Sequence, residues 1–76
     1  METYIDESKW EVEQFLLREK IDRDIFSQDA LNDMAYQYYK NYYSYDMDNE
    51  FALRAAVSKV LRKNNIVVDG FEEWIP

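Results

Sequence analysis

Ile66-Val67-Val68-Asp69-Gly70-Phe71-Glu72-Glu73-Trp74-Ile75 is the stretch on which the fold turns. Ile66-Val67-Val68 is β-branched and reads as a strand. Asp69-Gly70 is a favoured pair for a two-residue type I′ hairpin turn. Phe71-Glu72-Glu73-Trp74-Ile75 then alternates apolar and acidic residues, the pattern of a half-buried strand. The spacing therefore predicts a short C-terminal β-hairpin.

Upstream of it the apolar period is helical. A first helix is expected over about Glu7 to Glu19, capped by Asp6 or Ser8, with Glu11 at the capping-box distance from Ser8. A second is expected after Ser27, with Asp29 in its first turn, and continues through residues 30–43. A third is expected after Asp46 or Asp48 and runs to Lys63, with Arg62 and Lys63 suited to its last turn. Asn64 and Asn65 tolerate the left-handed conformation that ends helices. Helix, helix, turn, helix, hairpin is the order of a winged helix-turn-helix. The expected fold is thus mainly α, one three-helix winged domain over residues 1–76.

Composition narrows the function. A chain of 76 residues supports one core, burying roughly 60% of the surface it exposes when unfolded. It has no cysteine and no histidine, so disulfides, thiolate zinc sites and histidine-based triads are excluded. Its one glycine rules out a glycine-rich phosphate loop. Asp22/Asp24, Asp46/Asp48 and Glu72/Glu73 flank turns and strand ends, and read as caps and solubilising charge. Asp46-Met47-Asp48-Asn49-Glu50 lacks the glycine and the later glutamate of a calcium loop. Neither catalysis nor a metal or other cofactor is expected. No apolar run approaches the roughly 20 residues of a membrane span, and the acidic N-terminus does not read as a signal peptide. A cytoplasmic protein is expected.

Net charge is −7, unevenly spread. Residues 51–68 hold Arg54, Lys59, Arg62 and Lys63 and no acid, while the rest of the chain is strongly acidic. On the third helix, Leu53, Ala56, Val57, Val60 and Leu61 share a stripe that reads as buried. Arg54, Ala55, Ser58, Lys59 and Arg62 lie opposite, with Lys63 at the edge. Small residues among cations suit close approach to a nucleic-acid backbone, so Arg54, Ser58, Lys59, Arg62 and Lys63 are candidate contacts. An ordinary solvated face is the alternative. On this spacing, Arg54→Glu with Arg62→Glu leaves the fold intact.

The other helices offer protein-binding surface. On the second, Leu31, Met34, Ala35, Tyr38 and Tyr42 form the expected core stripe, with Tyr36, Tyr39 and Tyr43 on its flank. Those flanking rings are either half-buried with wet hydroxyls or a contact surface. On the first, Val12, Phe15 and Leu16 face one side and Trp10, Leu17 and Ile21 the other. A helix apolar on two faces is either sandwiched in the fold or bound to a partner.

Val12, Phe15 and Leu16, then Leu31 with Tyr36 to Lys40, then Phe51 with Val57-Ser58-Lys59-Val60-Leu61-Arg62-Lys63 carry a resemblance across residues 12–68. The pattern resembles the small C-terminal winged-helix domain of phage and plasmid primase-helicases. The resemblance implies DNA replication on a mobile element, a nucleic-acid-binding or docking role, and contacts from the cations just named. Asp69, Glu72 and Glu73 would repel phosphate from the wing. The expected function is a non-catalytic replication accessory protein. It would bind a polymerase, primase or helicase through the first helix or the tyrosine flank. It would touch DNA through the third helix, weakly alone and more strongly in a complex. An acidic inhibitor that mimics DNA on a host enzyme, or a homodimeric interaction module, are the alternatives.

Overall fold

The computed structural model describes residues 2–68 and 71, and it is helical. Three helices, α1 (Glu2–Arg18), α2 (Gln28–Tyr39) and α3 (Asn49–Lys63), are joined by a 3₁₀ turn (Arg23–Ile25) and a π-helical turn (Lys40–Ser44). α1 packs chiefly on α2, α2 on α3, and α1 also touches α3. No strand occurs among the described residues.

α1 begins before the expected start, so neither Asp6 nor Ser8 caps it; both lie inside the helix, and Ser8 is buried. Val12, Phe15 and Leu16, at i, i+3 and i+4, are buried together. The helix ends in a Schellman motif. Lys20 takes φ 61°, its N–H donates to the Leu17 carbonyl at 3.1 Å, and the Ile21 N–H donates to the Leu16 carbonyl at 2.9 Å. That motif places an apolar residue against the preceding turn, so Ile21 belongs to the core rather than to an outer face with Trp10 and Leu17.

Ser27 caps α2, its Oγ accepting from the Ala30 N–H at 3.1 Å. Ala30, Leu31, Met34, Ala35 and Tyr38 are buried. The helix then widens, and the Tyr45 N–H reaches back five residues to the Lys40 carbonyl at 3.1 Å. Asn41 secures this turn. Its side-chain amide donates to the Ala52 carbonyl at 3.2 Å, and its own carbonyl accepts from the Met47 N–H at 3.0 Å. Asp48 caps α3, accepting from the Glu50 N–H at 3.2 Å.

α3 buries the whole expected stripe, Leu53, Ala56, Val57, Val60 and Leu61. It also buries Ala55 and Ser58, because neighbours on two sides widen its covered arc beyond one stripe. A second Schellman motif ends it. Asn65 takes φ 56° and the Ile66 N–H donates to the Leu61 carbonyl at 2.9 Å.

Among the described residues the expected wing does not form. Ile66–Val68 forms no strand: its first N–H is consumed by the helix cap, and the side chains of Ile66 and Val68 pack on the helical core while Val67 points outward. The β-branched run read as a strand is thus an irregular segment that seats Ile66 and Val68 on the helices. Phe71 is buried edge-on to Phe15, its ring centroid 6.1 Å away. Asp69-Gly70 and Glu72 to Ile75, the rest of the expected hairpin, lie outside the described residues. The described residues form a three-helix domain with no strand.

Candidate functional site

The basic face of α3 does not assemble as one surface. Arg54 is half-buried: its Nη2 lies 3.7 Å from Glu19 Oε1, and its guanidinium lies 4.7 Å from the Phe71 ring centroid and 5.9 Å from that of Phe15. Ser58 is only 4% exposed, and its hydroxyl has no hydrogen-bond partner among the described residues. Lys63 Nζ pairs with Asp33 Oδ2 at 2.7 Å. That lysine's hydrogen bond, with help from Gln37, holds the Asp33 carboxyl below its usual range against the opposing effect of burial. Of the cations on this face, only Lys59 and Arg62 are exposed with no ion pair among the described residues. Two cations neutralise few phosphates, and affinity for nucleic acid scales with that number.

A groove forms elsewhere, between the N-terminal half of α1 and the π turn. Its volume is about 680 Å³. Glu7, Ser8, Trp10 and Glu11 of α1 line one wall; Tyr38, Tyr42 and Tyr43 line the other, with Asn49 at the start of α3. Trp10 is 59% exposed, Tyr43 48% and Tyr42 38%. The rings are arranged in series. Tyr38 stacks on Tyr42 with centroids 5.6 Å apart, and Tyr42 meets Tyr43 edge-on at 4.9 Å and 88°.

The π turn makes this corner. Each residue of a π turn advances less around the axis than the 100° of an α-helix, so Tyr42 leaves the core stripe on which regular spacing placed it. Tyr38 stays buried and its phenol donates to Asn49 Oδ1. Burial first, and the charge of Glu11 second, push that phenol up to about 12.

The groove is acidic as well as aromatic. Glu7 and Glu11 stand one helical turn apart with Trp10 between them in sequence. Neither forms an ion pair among the described residues. Of the cations of α1 and its exit, Arg18 pairs with Glu50, and Arg23 with Glu13 at 3.3 Å.

The residues expected to bind a partner are therefore divided. Trp10 and Tyr43 meet in the groove. Tyr39 is half-buried, its ring 5.1 Å from Tyr43, and Tyr36 is exposed with Lys40 Nζ 5.5 Å from its ring centroid. Leu17 is 70% exposed, about two turns along α1 from Trp10, and with Ile21 lines a separate hollow of about 290 Å³. Sequence reasoning missed Glu7, Glu11, Tyr42 and Asn49. The i, i+3, i+4 spacing of Glu7, Trp10 and Glu11 signals a shared face, but a helix expected to start at Glu7 hides it.

No cluster of potential metal ligands occurs among the described residues, and none of their helices is long and apolar enough to cross a membrane. No protein-family model matches the sequence, no curated protein matches it, and no solved structure matches the fold.

Proposed function

We propose that this chain is a small non-catalytic docking protein that binds a protein partner through the groove between α1 and the π turn. The observation that carries the reading is the gathering of Trp10, Tyr42 and Tyr43, all exposed, on one acidic wall pair. Exposed aromatic rings are enriched at protein interfaces and costly to leave in water without a use. The acidity selects the partner class. At net charge −7, the chain is steered toward basic surfaces, and enzymes that handle nucleic acid carry such surfaces along their channels. An accessory protein of replication on a phage or plasmid, docked on a polymerase, primase or helicase, fits that description. DNA contact through α3 is the weaker half of that role, since Arg54 and Ser58 are held within the fold and Lys63 is paired with Asp33.

The test is binding of the labelled protein to purified replication enzymes and, separately, to single- and double-stranded oligonucleotides. Trp10→Ala is expected to weaken enzyme binding by about tenfold or more. Lys59→Glu with Arg62→Glu is expected to leave it unchanged. Salt-sensitive oligonucleotide binding by the protein alone, lost in the Lys59/Arg62 double variant, would overturn the reading and make α3 the contact surface.

A further inference from the structure

We infer that the groove is a guanidinium cradle, and that its occupant is an arginine-bearing segment of the partner protein. The inference rests on the docking reading above and adds the chemistry of recognition. Tyr42 and Tyr43 meet edge-on at 88° with centroids 4.9 Å apart, and both remain part-exposed beside the exposed indole of Trp10. Trp10 closes the cradle from α1, and Glu7 and Glu11 flank it. A cation over an aromatic face is attracted by the ring quadrupole, most strongly over tryptophan. A guanidinium is planar, so it can lie flat on one ring while its N–H fork meets a carboxylate with two hydrogen bonds. The compact, strongly hydrated ammonium of lysine does only the second of these well.

Other occupants fit less well. A neutral apolar helix would cover Glu7 and Glu11 without pairing them, which leaves buried carboxylates uncompensated. A nucleic-acid backbone would meet like charge. A second copy on a two-fold axis would set the same carboxylates against each other. Three of the chain's four arginines, Arg18, Arg23 and Arg54, are paired with Glu50, Glu13 and Glu19, and no cation of the chain pairs with Glu7 or Glu11 among the described residues.

The experiment uses the full chain with Trp74→Phe, so that Trp10 is the one indole reporter. Acetylated, amidated hexaarginine, hexalysine and hexacitrulline are titrated against it. Hexaarginine is expected to shift the Trp10 emission and to bind about fivefold more tightly than hexalysine, with hexacitrulline inert. Glu7→Gln with Glu11→Gln is expected to weaken hexaarginine by about tenfold. Asp24→Asn with Asp29→Asn removes the same charge at exposed sites outside the groove and is expected to weaken it by no more than about twofold. Equal losses in the two double variants would overturn the inference, because they would show attraction to overall acidity alone. Equal affinity for hexalysine and hexaarginine would overturn it too. Failure of hexaarginine to bind, with enzyme binding still lost on Trp10→Ala, would sink the arginine chemistry while the docking reading stood. Enzyme binding indifferent to Trp10→Ala would sink the docking reading itself.

Discussion

The guanidinium of Arg54 lies over Phe71, 4.7 Å from the ring centroid, with Glu19 Oε1 3.7 Å from its Nη2. A cation held between a buried ring and a carboxylate is part of the packing of α3 against the C-terminal segment. Arg54→Glu removes both attractions and sets a carboxylate beside Glu19. It is expected to lower stability by about 1–3 kcal/mol. Arg62, exposed and without an ion pair among the described residues, is expected to tolerate Arg62→Glu within about 0.5 kcal/mol. Urea unfolding of the two single variants separates them. Helical spacing treated both as equivalent outward cations, and equal, negligible effects would restore that view.

Ser58 makes the second prediction. Its hydroxyl is buried and has no hydrogen-bond partner among the described residues. A buried hydroxyl that gives up water for nothing costs about 1–3 kcal/mol, and removing it leaves only a small void. Ser58→Ala is therefore expected to raise stability by about 1 kcal/mol, read as an upward shift of the thermal midpoint. A nucleic-acid contact residue would show no such gain, and a clear loss of stability would mean that the hydroxyl is satisfied.

Lys20 makes the third. It holds φ 61° at the end of α1, where glycine has no side chain to strain. Lys20→Gly relieves roughly 1–2 kcal/mol of local strain and gives back part of it as unfolded-state entropy. A net gain of about 0.5–1 kcal/mol is expected in urea unfolding. The same motif seats Ile21 in the core, so Ile21→Ala is expected to cost about 2–4 kcal/mol. A partner-facing Ile21 would cost far less.

Where helices are regular, the sequence could be read directly. Val12, Phe15 and Leu16, the α2 stripe through Tyr38 and the α3 stripe from Leu53 to Leu61 are buried as the 100° spacing requires. Ser27, Asp48 and Asn65 stop and start elements through local hydrogen bonds and backbone preference, which a single residue type can signal. The first expected strand of the wing, Ile66–Val68, does not form, for a different reason. The β-branched run Ile66–Val68 has real strand propensity, but an isolated hairpin is marginal, and the helical core offered Ile66 and Val68 a better surface. The groove was half legible. Tyrosines on the flank of α2 pointed to a contact surface, and Trp10 pointed to another. Their meeting depends on the π turn, which moves Tyr42 outward and leaves no trace in a pattern counted at constant angle.

Tyr38 joins the core to the groove, and its titration makes the last prediction. Its phenol is pushed up to about 12 by burial and by the charge of Glu11, against the ordinary 10.0 of a free tyrosine. The folded state therefore holds this proton more tightly than the unfolded chain does. The corresponding stability is fully present below the unfolded value and is lost as pH rises through the folded one. Wild-type stability should fall across that alkaline interval. Tyr38→Phe removes this linkage. It also removes the hydrogen bond to Asn49, whose exposed amide can turn to water, so the cost near neutral pH is about 1 kcal/mol. The difference between wild type and variant should then narrow, and finally reverse, as pH rises from 10 toward 12. Urea midpoints for the pair across the alkaline range measure it. A constant difference would show that the Tyr38 phenol ionises equally readily in the folded and unfolded chains.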